Sequence, residues 1–173
     1  MALILIDQFV LNNSIAQFHQ SGFTLVGVMT GAGAGLQKLL WNVAGASQSI
    51  MAAHFPYSQE SLERYLGFQK SELPKFVSKE MSYMMADVAS MDCAGISRKR
   101  KNLEKDSKEF DQIKSKCLGL AITAAVSTNR DRKGENKACI ALTASNIAEN
   151  YNFKYAEIIF TKGVLTREEE GEI

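Results

Sequence analysis

Three glycines alternate with small residues in the stretch Thr30-Gly-Ala-Gly-Ala-Gly35, between an apolar, β-branched run and an amphipathic segment. A strand, a glycine loop and a helix in this order leave backbone N–H groups free at the positive end of a helix dipole, which suits a phosphate or another anion. The structural alternative is that the glycines only permit a tight turn and close helix packing.

The glycine spacing argues against two common nucleotide sites. The run lacks the Gly-Lys-Ser/Thr ending of a P-loop, and its alternation differs from the dinucleotide fingerprint G-x-G-x-x-G. No acidic residue lies between Asp7 and Glu60. The carboxylate that holds a ribose about 20 residues after that fingerprint is therefore missing, and we expect no NAD site of this type and no bound cofactor.

The residues that commonly bind metals are few and scattered. The chain has three cysteines without C-x-x-C spacing and only two histidines, His19 and His54. This set does not supply a zinc tetrad, so we expect no metal. The cysteines are expected to be reduced thiols that pack as small apolar groups; they are Cys93, Cys117 and Cys139.

The charge pattern of the 173 residues limits the partners. Lys and Arg number 20 against 19 Asp and Glu, for a net charge of +1. A balance of this kind favours neither nucleic acid nor an anionic membrane. No apolar run approaches the roughly 20 residues of a membrane span, and the first basic residue is Lys38, too late for a secretory signal. We therefore expect a cytoplasmic protein.

Hydrophobic periodicity predicts alternating strands and helices around the glycine corner. The long helix after Pro74 is expected to pack through Val77, Met81, Met84, Val88 and Met91. Ser58 is a candidate N-cap of a short helix that Gly67 ends. The predicted helices cover residues 2–20, 36–43, 58–66 and 77–91, and the predicted strands cover residues 23–29, 50–55, 118–123, 138–143 and 155–160.

The segment 97–116 is strongly charged and has few apolar residues. It begins with Arg98-Lys-Arg-Lys101, but acidic residues are mixed through the rest of the segment. This mixture favours a solvated surface insertion over a nucleic-acid site. The whole chain, residues 1–173, is expected to form one domain that carries this insertion at about 97–116.

The order of these pieces resembles the CinA C-terminal domain, from the competence and damage-inducible protein family whose active members are nicotinamide-nucleotide amidohydrolases. The likeness covers residues 23–160 and is closest to a divergent branch that is sometimes joined to a nucleotidyltransferase domain. It implies a three-layer α/β/α domain with a mixed sheet. Beyond the glycine corner, it rests on Val43-Ala-Gly-Ala-Ser47, Pro56-Tyr-Ser58 with Glu60, Leu66-Gly67, Val77-Ser-Lys-Glu80 and Leu118-Gly-Leu-Ala-Ile-Thr123.

The resemblance also implies catalytic positions. Active family members carry Glu-Ser-Cys-Thr-Gly-Gly at the corner, with the serine as nucleophile, and a lysine five residues after the tyrosine of the Tyr-Ser turn. An ungapped match places Thr30 in the serine position and Met29 in the glutamate position. Counting from Tyr57 places Leu62 where the lysine is expected. Thr30 and Tyr57 are thus the catalytic candidates, with Lys38 as a substitute base.

The candidate ligand-binding residues lie on two loops. The first is the glycine corner, where Gly33-Ala34 takes the place of the paired glycines of the family. The second corresponds to a glycine-rich loop of the family and here keeps Thr123 and three cations. The alternative interpretation of this second loop is an exposed hairpin connection without a ligand. Together the candidates are Gly31, Gly33, Ala34, Gly35, Thr123, Arg130 and Arg132, followed by Lys133.

Three functions remain open from the sequence. The first is an amidohydrolase acting on nicotinamide mononucleotide or a related amide, degenerate or weakly active because leucine cannot transfer a proton. The second is a non-catalytic domain that binds a nucleotide or another phosphate-bearing small molecule. The third is a structural or interaction domain beside a nucleotidyltransferase. A homo-oligomer is among the open states of assembly.

Overall fold

The computed structural model describes residues 7–129, 132–144 and 153–172. Strands and helices alternate in the first part of the chain, and a strand hairpin follows. The elements are α1 Gln8–Gln20, β1 Thr24–Thr30, α2 Ala34–Asn42, α3 Ala46–Ser49, β2 Ile50–His54, α4 Gln59–Leu66, a 3₁₀ turn Lys70–Glu72, α5 Lys79–Arg100, α6 Lys108–Lys114, β3 Cys117–Ala125, β4 Asn136–Ala144, β5 Lys154–Phe160 and α7 Arg167–Glu172.

The five strands form one mixed sheet in the order β2-β1-β3-β4-β5. The strands β2, β1 and β3 are parallel, whereas β4 and β5 run antiparallel to their neighbours. The register pairs Thr30, at the end of β1, with Thr123 on β3. The carboxyl ends of β1 and β3 therefore lie side by side, which is where α/β sheets bind ligands.

Helices cover both faces of this sheet, as expected for a three-layer α/β domain. The middle of β1 is buried on both of its faces. On one face, Val26 and Val28 share a core with residues of α4, α5 and α6. On the other, Met29 lies beside Gly33, just before α2. The prediction of an α/β domain with a mixed sheet is confirmed.

The buried face of α5 differs from the predicted stripe. Met81 is fully buried, but Met84 and Val88 are only half-buried and Met91 is 57% exposed. The helix instead presents small side chains to the sheet, because a Cβ on Gly119 of β3 would lie 1.9 Å from the Ala86 carbonyl oxygen. Such close contact needs small residues on both elements. The buried members are Met81, Ser82, Met85, Ala86, Ala89, Ser90, Cys93, Ala94 and Ser97.

Helix α4 agrees closely with its prediction. The Ser58 hydroxyl caps the helix by accepting a hydrogen bond from the Ser61 N–H at 3.2 Å. Gly67 ends it in the left-handed conformation, with φ of 77°. The buried side chains of this helix are Leu62 and Leu66, so α4 turns Leu62 inward just after the Tyr-Ser turn.

The charged segment 97–116 lies closer to the core than predicted. It contains the last turn of α5, a turn and α6. Most of its charged side chains are exposed, but Ser97 and Phe110 are buried at 4% and 6% exposure. Part of the predicted solvated segment is therefore packed, because its few apolar side chains, Leu103, Phe110 and Ile113, join the core.

Candidate ligand-binding site

The carboxyl ends of β1 and β3 open into a cleft of about 380 Å³. Helix α4 and the segment before α5 form its other walls. The cleft brings together four residues predicted for the site, which are Thr30, Gly31, Tyr57 and Thr123. The remaining lining residues are Ser58, Gln59, Leu62, Phe76, Val77 and Ala124.

The two paired threonines have different roles in this cleft. Thr123 is 1% exposed, and its hydroxyl donates a hydrogen bond to the Phe76 carbonyl at 2.6 Å. That bond ties β3 to the segment before α5. Thr30 is half-buried and lines the cleft at the end of β1. Of the two hydroxyls, Thr30 is the one placed to meet a ligand.

Gly31 forms the part of the wall where two backbone segments touch. Its φ is +84°, and a Cβ at this position would lie 2.0 Å from the Ala124 carbonyl oxygen. Only glycine combines this conformation with this separation. The first loop thus lies directly on the end of β3.

The rest of the glycine corner lies outside the cleft. Gly33 caps α2 with φ of 96°, and Ala34 and Gly35 begin that helix. The Gly33 N–H donates to the Gly171 carbonyl at 3.1 Å. The expectation that this N–H is free is therefore wrong, because α7 packs against the corner and its Gly171 carbonyl accepts the hydrogen bond.

Tyr57 is 71% exposed at the rim of the cleft and contacts a cation that the sequence analysis missed. The Arg167 guanidinium donates to the Tyr57 hydroxyl at 3.2 Å and to the Ser127 carbonyl at 2.8 Å. Arg167 thereby links the Tyr-Ser turn to the end of β3. Its position in a run of charged residues gave no signal of this contact.

Leu62 lines the cleft where the resemblance expects a lysine, and it is 3% exposed. Apart from the Tyr57 phenol, the described lining residues carry only hydroxyl, amide and hydrocarbon side chains. Lys38 is exposed on α2 and is not among them. Nothing in this lining resembles an amine, imidazole or carboxylate that could accept the Thr30 proton near neutral pH.

The cations predicted for the second loop do not line the cleft. Arg132 donates to the Val126 carbonyl at 3.0 Å and to the Asn136 side-chain oxygen at 2.8 Å, so it braces the β3–β4 connection. Lys133 is exposed. Arg130 lies outside the described residues.

Sequence analysis also missed Glu170 and Asn136. Glu170 is fully buried, and its carboxylate accepts hydrogen bonds from the Ser127 N–H and the Asn136 amide. The neighbouring Glu169 is exposed, and hydrogen bonds from Thr166 lower the pKa of its carboxyl group. Both carboxylates belong to the same acidic run, so composition could not distinguish the buried one.

The described residues offer no cluster of three or more His, Cys, Asp or Glu that could hold a metal ion. The three cysteine thiols are free and buried. No helix among the described residues is long and apolar enough to span a membrane.

Comparison with known proteins shows which solved structures share this fold. No protein-family model matches the sequence, and no curated protein matches it either. Solved structures do match. A competence/damage inducible protein CihA from Agrobacterium tumefaciens has 18% sequence identity and a TM-score of 0.64, covering 99% of this chain and 91% of that chain.

Two further solved structures are similar to this chain. A CinA superfamily protein from Enterobacter cloacae has 15% identity and a TM-score of 0.65, covering 99% of this chain and 90% of that chain. A competence damage-inducible protein A from Klebsiella pneumoniae has 11% identity and a TM-score of 0.66, with coverage of 96% and 89%. The chain therefore has the fold of CinA superfamily proteins, over nearly its whole length and with low sequence identity.

Proposed function

We propose that this chain is a degenerate nicotinamide-nucleotide amidohydrolase domain, which binds a nucleotide or a related phosphate-bearing small molecule but hydrolyses its amide weakly or not at all. The observation that carries the proposal is the lining of the cleft between Thr30 and Leu62. A hydroxyl occupies the nucleophile position there, and a buried hydrocarbon occupies the position of the base.

The chemistry of amide hydrolysis explains why this lining matters. A threonine hydroxyl attacks a carboxamide only when a base removes its proton as the bond forms. Leu62 cannot accept that proton, and Tyr57 already accepts a hydrogen bond from the Arg167 guanidinium. With Thr30 unassisted, we expect little or no ammonia release.

The same lining suits recognition of a polar ligand. Thr30, Ser58 and Gln59 offer groups that both donate and accept hydrogen bonds. Phe76 and Val77 add apolar surface beside them. A cleft that combines apolar walls with a few converging polar groups is typical of a small-molecule site. While α7 is packed on the domain, Arg167 adds a positive charge at the rim through its contact with Tyr57.

Binding is tested by calorimetric titration of the purified protein with nicotinamide mononucleotide. We expect saturable binding, and Tyr57→Ala should weaken it about tenfold, as for a ring that stacks on one face of a ligand. Phe55→Ala is the matched control, because Phe55 is 48% exposed, lies two residues earlier and is outside the cleft.

Two results would oppose the proposal. Equal weakening by both variants would place the ligand elsewhere. Absence of binding by the unmodified protein would favour a structural domain that works beside a nucleotidyltransferase. Cytoplasmic location and self-association remain predictions from the sequence.

A further inference from the structure

The carboxylate of Glu170 is fully buried among uncharged hydrogen-bond donors. One of its oxygens accepts the Ser127 N–H at 2.6 Å. The Asn136 side-chain nitrogen donates to both oxygens, at 3.1 and 3.2 Å. Among the described residues, no Lys, Arg or His nitrogen lies within 4.0 Å of this carboxylate.

The Asn136 donor is held in place by partners other than Glu170. The Arg132 guanidinium donates to the Asn136 side-chain oxygen, which leaves the Asn136 nitrogen as the group that faces inward. That nitrogen also donates to the Ser127 hydroxyl at 3.0 Å. A backbone N–H and an amide held in one direction suit an oxyanion, and they do so whether the oxyanion is a carboxylate or a phosphate.

The segment that delivers Glu170 is anchored by few contacts. Between residues 161 and 169 no side chain is buried, and only Leu165 is half-buried. Besides Glu170, its contacts with the rest of the domain include the Arg167 hydrogen bonds to Tyr57 and Ser127, the Gly171 carbonyl beside Gly33, a Lys162 hydrogen bond to the Arg132 carbonyl, and the packing of Leu165 on a small cluster that contains Phe160. A segment with so little buried apolar surface opens at low free-energy cost.

The occupied donors adjoin the candidate cleft. Ala124, near the end of β3, lines the cleft, and Ser127 follows it by three residues, just past the end of that strand. Arg167 spans from the Ser127 carbonyl to the Tyr57 hydroxyl at the rim. The Ser127 donor therefore lies next to the rim of the cleft.

We infer that Ser127 and Asn136 form an oxyanion-binding site that the chain fills with its own Glu170, and that the phosphate group of a ligand binds there when α7 moves away. Helix α7 is then an intramolecular competitor of the ligand. The inference rests on the proposed function for the identity of the ligand, whereas the site itself can be tested with inorganic phosphate.

The test compares Glu170→Gln with Glu168→Gln. Glu168 is exposed on the same helix, so its variant removes the same charge without touching the donors. In Glu170→Gln, the new NH₂ group faces the Asn136 donor, and we expect faster hydrogen exchange across α7. Phosphate affinity should rise at least about tenfold over the unmodified protein, because hydrogen bonds to a charged competitor are lost. Glu168→Gln should change neither quantity.

Two further variants locate the effect. Glu170→Ala removes the competitor completely and should reproduce the gain. Adding Asn136→Ala to Glu170→Gln should abolish it. The inference is wrong if α7 exchange is unchanged in both Glu170 variants, if α7 is released without a gain in phosphate affinity, or if the gain survives Asn136→Ala. A phosphate gain in a protein that does not bind the nucleotide would support this site and contradict the proposed function.

Discussion

The two ends of the parallel strands differ sharply in charge. At the carboxyl ends, the candidate cleft is lined by hydroxyl, amide and apolar groups around Thr30. At the amino ends lies a larger cleft of about 770 Å³, lined by Arg100, Lys101 and Lys116. No carboxylate is among the described residues that line this second cleft. A search for positive charge alone would therefore choose the end opposite to the predicted site.

Helix ends explain the cations of the second cleft. Helices α1, α5 and α6 all end there, with Gln20, Arg100 and Ser115 among the lining residues. The carboxyl end of a helix carries partial negative charge, which cations stabilise. The comparison teaches that charge in this fold can serve the helices. At the carboxyl ends, Thr123 has a structural hydrogen bond to Phe76, which leaves the Thr30 hydroxyl to meet a ligand.

Buried polar groups at the amino ends also have structural partners. His19 is 2% exposed. Its Nε2 donates to the Leu40 carbonyl at 3.0 Å, and Nδ1 shares a hydrogen bond with the Ser49 hydroxyl at 2.5 Å. Both ring nitrogens are thus engaged in joining α1 to α2 and α3.

The largest expected difference between the two ends is at their glycines. Gly31→Ala should lower the free energy of unfolding by about 3 kcal/mol or more, because the left-handed φ costs a side chain about 1–2 kcal/mol and Ala124 must also shift. Gly22→Ala, at the other end, should lower the free energy of unfolding by the conformational cost alone. The φ of Gly22 is +79°, and its Cβ would lie 3.8 Å from the flexible Lys116 amine. Urea denaturation measures both. Equal losses would show that the wall at Gly31 is not tightly packed.

A smaller difference is expected between two buried threonines. Thr123→Val removes the hydrogen bond to Phe76 and should lower the free energy of unfolding by about 1–2 kcal/mol. Thr143 is its control, because this hydroxyl is buried without a hydrogen-bond partner in the described part of the chain. Thr143→Val should be neutral or stabilising. A larger loss at Thr143 than at Thr123 would contradict the assigned role of the Phe76 contact.

The smallest effects are expected at the helix ends. Lys101 caps the carboxyl end of α5, so Lys101→Gln should lower the free energy of unfolding by about 0.3–1 kcal/mol at low ionic strength. Lys108 begins α6, where the dipole repels a cation, and Lys108→Gln should slightly stabilise the fold. Both effects should shrink in salt. Stabilisation by Lys101→Gln would mean that the three cations repel one another, and would make the charged cleft a candidate anion site.

Much of the fold was predictable because its elements have local signals. The Ser58 cap and Gly67 stop define α4, and the apolar runs define the strands. The face of α5 was not predictable from hydrophobic periodicity. Gly119 brings the β3 backbone against Ala86, and this close approach requires small residues at that point of the helix, between the buried methionines Met81 and Met85 and the buried Cys93.

The candidate site also contains residues that could be predicted from the sequence and residues that could not. The family resemblance, which rests on the order of strand, loop and turn, predicts Thr30, Tyr57 and Thr123, and they meet in one cleft. Glu170 could not be predicted, because its burial depends on Asn136, 34 residues away, and the acidic run around it is typical of a solvated helix start. The Gly33 N–H was assigned to a ligand for the same reason, since its partner lies on α7.

The central claim is that the cleft keeps a nucleophile position without a base. A coupled assay of ammonia release from nicotinamide mononucleotide tests it most directly, with the unmodified protein beside Thr30→Ala and Leu62→Lys. Loss of general-base assistance costs a factor of about 10² to 10⁴ in rate, so we expect the unmodified protein to release ammonia no faster than Thr30→Ala. Robust turnover that Thr30→Ala abolishes would contradict the account and show that another group activates Thr30.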